Sequence, residues 1–493
     1  MVFSSMTFMA FFLPAVILLY FICKHPAWRN GVLVAFSLLF YAWGEPKRVL
    51  MMLFSILVNY AAAILIGRAK TKGARRFWLV AGLAVTLGFL FYYKYFAFFV
   101  NSAAALFGLE ALVEPRSLPI GISFFTFQII TYTVDVFLGK TPVQKSLPRL
   151  TLYISFFPQL IAGPIVNYTY IEPQLAERKT SVDDAYAGLL RFAAGLGKKV
   201  LLANVCGEIL AELSLTGDVS LLAAWLGAVA YTFQIYFDFS GYSDMAIGLG
   251  RIFGFKFLEN FKYPYISTSV TEFWRRWHIS LGAFFREYVY IPLGGNRVGR
   301  GRQIFNLAAV WGLTGLWHGA SWNFIAWGIY YGLLLILEKQ LLQKVLPKIP
   351  AALRWLGTMV LVIFGWVLFY HESLADGLHQ MAAMVGLGTG GLSDPVALYY
   401  LKRYLGVLVL AALASVPWKQ VLQKLLQHRA ETRAAAAEPG TETRAAAAEA
   451  PVLPAGLRAA GEWLRPIAAT VLIGISVAFV VSGSYNPFLY FRF

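Results

Sequence analysis

Apolar runs close to the length of a bilayer crossing recur along this chain, and they constrain its fold more than any other feature. A spanning helix needs about 20 apolar residues. The runs Met6 to Cys23, Gly31 to Trp43, Val49 to Ile66, Trp78 to Val100, Leu118 to Leu138, Leu150 to Val166, Ala185 to Leu213 and Leu221 to Phe253 come first. Asn306 to Trp317, Trp322 to Leu337, Trp355 to Phe369, Leu401 to Val416 and Ile467 to Ser482 follow. With 59% of 493 residues hydrophobic and 14% charged, the chain is far from the roughly 25% charge of a soluble domain. The pattern predicts an all-α polytopic membrane protein, one membrane domain over 1–493, with roughly 11–13 spanning or re-entrant helices around a central funnel or tunnel. Several runs are too short for a simple crossing, and Gly and Pro interrupt the chain near Pro119, Pro158 to Pro164 and Pro264 to Pro292. Broken backbone at membrane depth is tolerated only where protein or a water-filled cavity surrounds it, so re-entrant pieces are expected there.

The net charge of +17 does not point to nucleic acid. Its Lys and Arg residues sit in short segments between apolar runs, with no basic helix or binding motif. Loop topology accounts for them, because cytoplasmic loops collect positive charge. Arg68, Lys70, Lys72, Arg75 and Arg76 mark such a loop, which predicts a plasma (inner) membrane protein with its N-terminus outside. Met6 to Cys23 has no basic residue before it and no small-residue cleavage pattern after it, so it reads as a retained span rather than a secretion signal. Residues 417–465 read as a cytoplasmic loop. Within it, 431–450 is a low-complexity Ala/Glu/Arg linker in which Glu-Thr-Arg-Ala-Ala-Ala-Ala-Glu begins at Glu431 and again at Glu442. The last span then puts Tyr485 to Phe493 outside. Cys23 and Cys206 have no partner spacing, so packing roles are expected, with no disulfide and no metal site.

Of the six histidines, only His318 lies inside an otherwise apolar run, Val310-Trp-Gly-Leu-Thr-Gly-Leu-Trp-His-Gly-Ala-Ser-Trp322. An ionisable group within a span is a functional candidate by default, set against a histidine that merely hydrogen-bonds a neighbouring helix. On a helix, Thr314 and Gly315 are its neighbours one turn back, and Gly315 with Gly319 forms a strip for close approach. His278 follows Glu272-Phe-Trp-Arg-Arg-Trp. There Trp274, Arg275 and Arg276 read either as interface anchors and loop charges or as a site where guanidinium groups hold phosphates. The run from Tyr231 to Gly250 buries Gln234, Asp238, Ser240 and Asp244 in apolar surroundings. A structural role, pairing with arginine or accepting backbone N–H groups, is favoured over catalysis for these carboxylates. His371 and Asp376 match the His-x-x-x-x-Asp spacing of soluble glycerolipid acyltransferases, but the other blocks of that family are absent. The serine-hydrolase elbow, the phosphate loop and the zinc-protease helix are absent too.

Taken in order, Ser37-Leu-Leu-Phe-Tyr-Ala-Trp-Gly44, Leu118-Pro-Ile-Gly-Ile-Ser-Phe-Phe-Thr-Phe-Gln128, Phe156-Phe-Pro-Gln-Leu-Ile-Ala-Gly-Pro164, the Tyr231 to Gly250 run, Phe273-Trp-Arg-Arg-Trp-His-Ile-Ser280, Tyr290-Ile-Pro-Leu-Gly-Gly-Asn296 and Gly315-Leu-Trp-His-Gly319 resemble the membrane-bound O-acyltransferases. The likeness is to their bacterial branch of alginate O-acetyltransferase and related envelope acetylation proteins. The resemblance implies catalytic roles for His318 and His278, with His318 as general base and His278 orienting the acceptor or stabilising developing charge; an acyl-histidine intermediate stays open. It implies acetyl-CoA as cytosolic donor, with no bound cofactor. Arg275, Arg276, Trp274 and Trp317 are then candidate donor-binding residues. It also implies an extracytoplasmic partner of the SGNH-hydrolase type that finishes transfer to sugar hydroxyls. The ending Phe488-Leu-Tyr-Phe-Arg-Phe493 makes Tyr490 a candidate acyl relay, the competing reading being an interface anchor. Two other readings stay open: D-alanyl transfer for teichoic acid, and a non-enzymatic transporter or scaffold lined by the same polar groups.

Overall fold

Several helix starts are closed locally by a side chain. Thr71, Ser181, Ser220, Ser269 and Asp394 each accept a hydrogen bond from the backbone N–H three residues on, satisfying donors that lipid cannot. The computed structural model describes residues 1–213, 215, 218–436, 455–482 and 488–489, and no strand occurs among them. The first group of helices is α1 (Leu13–Ile22), α2 (Pro26–Gly44), α3 (Arg48–Arg68) and α4 (Lys72–Leu90), continued through a π-helical turn, Phe91–Tyr95, into α5 (Phe96–Leu106). Next come α6 (Ile122–Leu138) and the short α7 (Leu147–Ser155), α8 (Phe157–Leu160) and α9 (Tyr168–Ala176). α10 (Val182–Gly197) runs through a second π-helical turn into α11 (Asn204–Glu212), and α12 (Leu221–Ile252) returns beside them. The remainder is α13 (Val270–Arg276), α14 (Ile279–Phe285), α15 (Arg300–His318), α16 (Trp322–Leu337), α17 (Ala351–Tyr370), α18 (Leu374–Met384), α19 (Pro395–Ala414), α20 (Trp418–Ala436) and α21 (Ala455–Ser482).

Among the described residues, six helical stretches are long and apolar enough to cross a membrane: 48–68, 72–106, 322–342, 351–370, 395–414 and 463–482. Phe8–Ile22 and Ile122–Leu138 are shorter apolar helices. The protein is therefore an all-α, polytopic membrane protein. Its packing is turned inside out relative to a soluble domain. On α3, Ser55 and Asn59 are buried while Leu50, Phe54 and Leu57 are exposed. Asn59 donates to Thr86 Oγ1 on α4 at 2.7 Å and accepts from Thr133 on α6 at 3.1 Å, which ties three helices together where water is absent. The chain breaks where Gly and Pro suggested. α7 and α8 are divided at Phe156, and the freed N–H of Phe157 is taken by Ser37 Oγ at 3.1 Å.

The central helix α12 has 32 residues, about 48 Å at 1.5 Å per residue, and most of it is buried. α10 crosses it with backbones in direct contact. A Cβ on Gly195 would stand 2.5 Å from the Gly241 carbonyl oxygen and 2.8 Å from the Met245 nitrogen, and one on Gly248 would stand 2.5 Å from the Gly188 carbonyl oxygen. Gly195→Val is expected to force the pair apart at a cost of about 1–3 kcal/mol, read as a lower midpoint of thermal unfolding in detergent. An unchanged midpoint would mean that the two helices are not held at this distance.

The two ends of the helix bundle differ. At one, the basic segment Arg68 to Arg76 packs on the α6 terminus, with Arg75 donating to the Phe137 carbonyl at 2.7 Å. Lys140 there reaches Glu287 at 2.6 Å. At the opposite end, Arg48 donates to the Ser117 carbonyl at 2.8 Å and the Leu221 N–H reaches Gly391 O at 3.0 Å.

Candidate active site

His318 is the last residue of α15. The α15–α16 crossing sets its position: a Cβ on Gly328 would meet the Trp311 carbonyl oxygen at 2.5 Å and the Gly315 Cα at 3.1 Å, so the helices touch along their backbones one turn before the histidine. The helix ends at Gly319. The His318 ring is then enclosed by Trp317, Trp327 and Phe369, with centroids 4.8, 4.9 and 5.0 Å away.

His278 occupies the break between α13 and α14, in left-handed backbone at φ 45°. That conformation costs a non-glycine residue about 1–2 kcal/mol, and the surrounding backbone enforces it. Ile279 N–H donates to Asn260 O at 3.0 Å and Lys262 N–H donates to Arg276 O at 2.9 Å. α13 is itself pinned at its start, where Glu338 accepts from the Val270 N–H at 2.8 Å. Asn260 is fully buried, and its Oδ1 faces His278 Nδ1 at 3.2 Å while accepting from the Ser280 N–H at 3.1 Å and the Ser280 hydroxyl at 2.9 Å. A backbone N–H only donates, so the Asn260 oxygen is the acceptor. His278 therefore carries its proton on Nδ1 and a lone pair on Nε2.

One side chain joins the two histidines. The Trp317 indole lies 4.8 Å from the His318 ring and 5.9 Å from the His278 ring, and stacks on Phe127 at 5.6 Å. Each histidine lines a different cavity. The one at His318 also touches Lys94, Leu118, Pro119, Gly121 and Ser123, next to Ser117 at the Arg48 end. The one at His278 is apolar and is bounded by Trp274, Arg275, Arg286 and Tyr290, next to Glu287 at the basic end.

The two candidate donor-binding arginines part company. Arg275 borders the His278 cavity, whereas Arg276 pairs with Glu272 at 2.8 Å, donates to Lys262 O at 3.0 Å and borders a third, polar cavity with Arg191, Lys198, Lys262 and Asp244. Consecutive helical residues point about 100° apart, which the alternating Trp-Arg-Arg-Trp pattern conceals. Trp274 packs edge-on against Trp311 and Tyr331, at 4.7 and 4.8 Å. Gln234 faces α11, its Nε2 2.6 Å from where a Gly207 Cβ would be. Asp244 is held by Arg191 at 2.8 Å and Lys198 at 2.6 Å. Asp238 pairs with Lys199 at 2.5 Å and also accepts the Leu489 N–H at 2.8 Å. The Phe488 ring packs 4.9 Å from Tyr242 and sits under the Lys199 ammonium. Phe488 and Leu489 are thus brought back onto α12, one residue from Phe239, whose ring is 4.7 Å from His278. Tyr490, like residues 437–450 of the repeat linker, lies outside the described residues.

Sequence reasoning passed over two residues of this site. Asn260 gives no signal of its own in a loop. Lys94 does: it is the single charge in the apolar run Trp78 to Val100. The π-helical turn Phe91–Tyr95 carries it, a distortion frequent at functional sites. Its ammonium donates to the Trp317 carbonyl and to Ser123 Oγ, the latter at 3.3 Å. His371, from the rejected acyltransferase spacing, is bonded to Gln380 at 2.6 Å and lines neither of the two histidine cavities.

Comparison with known proteins matches residues 139–378 to the family model "MBOAT, membrane-bound O-acyltransferase family". The chain is 39% identical, over the full length of both, to the probable alginate O-acetylase AlgI of Pseudomonas aeruginosa. It is 32% identical to the peptidoglycan O-acetyltransferase of Helicobacter pylori, covering 100% of this chain and 98% of that one. To the teichoic acid D-alanyltransferase of Bacillus subtilis it is 29% identical over 51% of this chain and 68% of the other.

Proposed function

The chain belongs to the membrane-bound O-acyltransferase family, and from that premise we propose that it carries an acetyl group from acetyl-CoA at its basic end to hydroxyls of an envelope polysaccharide at the other. The observation that carries this reading is the pair of buried histidines on one indole, each bordering a cavity that approaches from a different end of the bundle. Such an arrangement suits two substrates that never share a compartment. The basic end is assigned to the cytosol by the excess of Lys and Arg in its loops, which puts the N-terminus outside and the protein in the plasma membrane.

A thioester is already a good electrophile, whereas a hydroxyl must lose its proton as it attacks. His318 is assigned the general base, since an imidazole titrates near neutrality in water and this one lines the cavity facing the acceptor end. His278, with its lone pair on Nε2, orients the acceptor by accepting a hydrogen bond from a neighbouring hydroxyl of the sugar, which leaves the proton of the attacking hydroxyl to His318. Arg275 at the His278 cavity and Arg276 at the neighbouring polar cavity offer two separate places for the donor's phosphates. Tyr490 is a candidate intermediate acceptor, and a Tyr490→Phe variant that transfers normally removes it from the route. An SGNH-hydrolase-type protein outside completes delivery to the polymer.

The test is transfer of radiolabelled acetyl from acetyl-CoA in membranes holding this protein and its external partner. Label reaching polysaccharide is the expected result. Label that moves only from a D-alanyl carrier protein overturns the acetyl assignment in favour of the teichoic-acid chemistry named for the Bacillus relative. Passage of unmodified substrate without covalent transfer overturns the enzymatic reading altogether.

A further inference from the structure

Lys94 is expensive where it stands. It lies within the membrane-spanning stretch 72–106, and among the described residues no carboxylate is within ion-pair distance of it. A cation kept in a span without a counter-ion needs a reason. Two of its three N–H donors are accounted for by the Trp317 carbonyl and Ser123 Oγ; the third has no partner among the described residues. It borders both the cavity at His318 and a larger one at the acceptor end that reaches Arg116, Ser321 and Trp322. Within the His318 cavity it is the sole Lys, Arg, Asp or Glu among the described residues. The same cavity is bounded by Ile122 and Ser123, the first residues of α6, whose dipole adds positive potential.

Resting on the acyl-transfer reading above, we infer that Lys94 is a catalytic residue that stabilises the oxyanion formed beside His318. When the acceptor oxygen bonds to the thioester carbonyl carbon, the carbonyl π pair moves onto oxygen and His318 takes the hydroxyl proton. The third N–H of Lys94 meets that charge. The oxyanion pair then re-forms the C=O bond, the C–S bond breaks, and the thiolate leaves with the proton held by His318. The contact with Trp317 O fixes the ammonium relative to the residue that precedes the base, so donor and base are registered through one peptide unit.

A purely structural role, capping the end of α15, makes a different prediction, because Lys94→Arg also caps. Lys94→Met keeps the length and apolar stem of the side chain. Its kcat is expected to fall about 10²-fold, with the donor KM within about twofold, as for loss of one oxyanion donor. A Lys94→Cys variant, in a background with Cys23→Ala and Cys206→Ala, is expected to lose activity and regain it on aminoethylation, which rebuilds an ammonium at nearly the same place. A Lys94→Met kcat within about threefold of wild type, or a folded and fully aminoethylated Lys94→Cys variant without recovery, overturns the assignment. The two readings fail separately. Equal transfer by wild type and His318→Ala removes the histidine chemistry and this role with it, whereas loss in His318→Ala beside a normal Lys94→Met removes the lysine alone.

Discussion

Membranes containing His318→Ala are expected to transfer acyl groups about 10³-fold more slowly than wild type at equal expression, the middle of the range for loss of a general base. The donor KM should change little. The expectation follows from position: the ring ends α15, borders the cavity at the acceptor end, and is held by three aromatic rings, with centroids between 4.8 and 5.0 Å away. Those rings are also the hazard of the experiment, because alanine leaves a hole among Trp317, Trp327 and Phe369 and lowers stability by a cavity term. His318→Gln fills most of that space without a base of suitable basicity. Loss of transfer in both variants, with thermal unfolding of the glutamine variant close to wild type, assigns the effect to chemistry. Retention of transfer in the glutamine variant would show that the site needs the volume of His318 and not its proton affinity.

The second large effect is expected at Lys199 and Asp238, where both side chains are only 2% exposed and stand 2.5 Å apart. Removing Lys199 leaves the buried Asp238 carboxylate without this counter-ion, at a cost of about 3–5 kcal/mol. Lys199→Met should lower the thermal midpoint sharply in detergent, while adding Asp238→Leu to it recovers much of the loss. Asp238 has a second duty, accepting the Leu489 N–H at 2.8 Å, so the double variant should still loosen Leu489. Hydrogen exchange at the Leu489 amide is the readout, expected to be faster in the double variant than in wild type. Equal exchange would mean that Phe488, packed against Tyr242, holds Leu489 without the carboxylate.

Much of this protein was legible in its residues taken in order. Helix formation in a membrane is enforced locally, since every backbone donor and acceptor must be satisfied within its own segment. The run Leu221 to Phe253 therefore reads as a helix before any neighbour is known, and α12 spans Leu221–Ile252. The breaks beside Pro119, Pro158 and Pro264 are local for the same reason: proline removes a donor wherever it stands. His318 stood out as an ionisable group in apolar surroundings, and Lys94 carried the same signal in Trp78 to Val100.

Tertiary structure decided which of these marks meet. The Lys94 ammonium contacts the carbonyl of a residue 223 positions later, and Leu489 reaches Asp238 across 251 positions; no periodicity records such pairings. Arg275 and Arg276, adjacent in the chain, were sent to different cavities by the turn of a single short helix. His278 acquired its protonated Nδ1 only because Asn260, from a loop without regular structure, was pressed against it by paired backbone. The physical division is one of range. Apolar period and backbone chemistry act over a few residues and settle what each segment becomes. Close backbone approach at glycines such as Gly195 and Gly328 selects which segments touch, and that selection places the two histidines against one tryptophan.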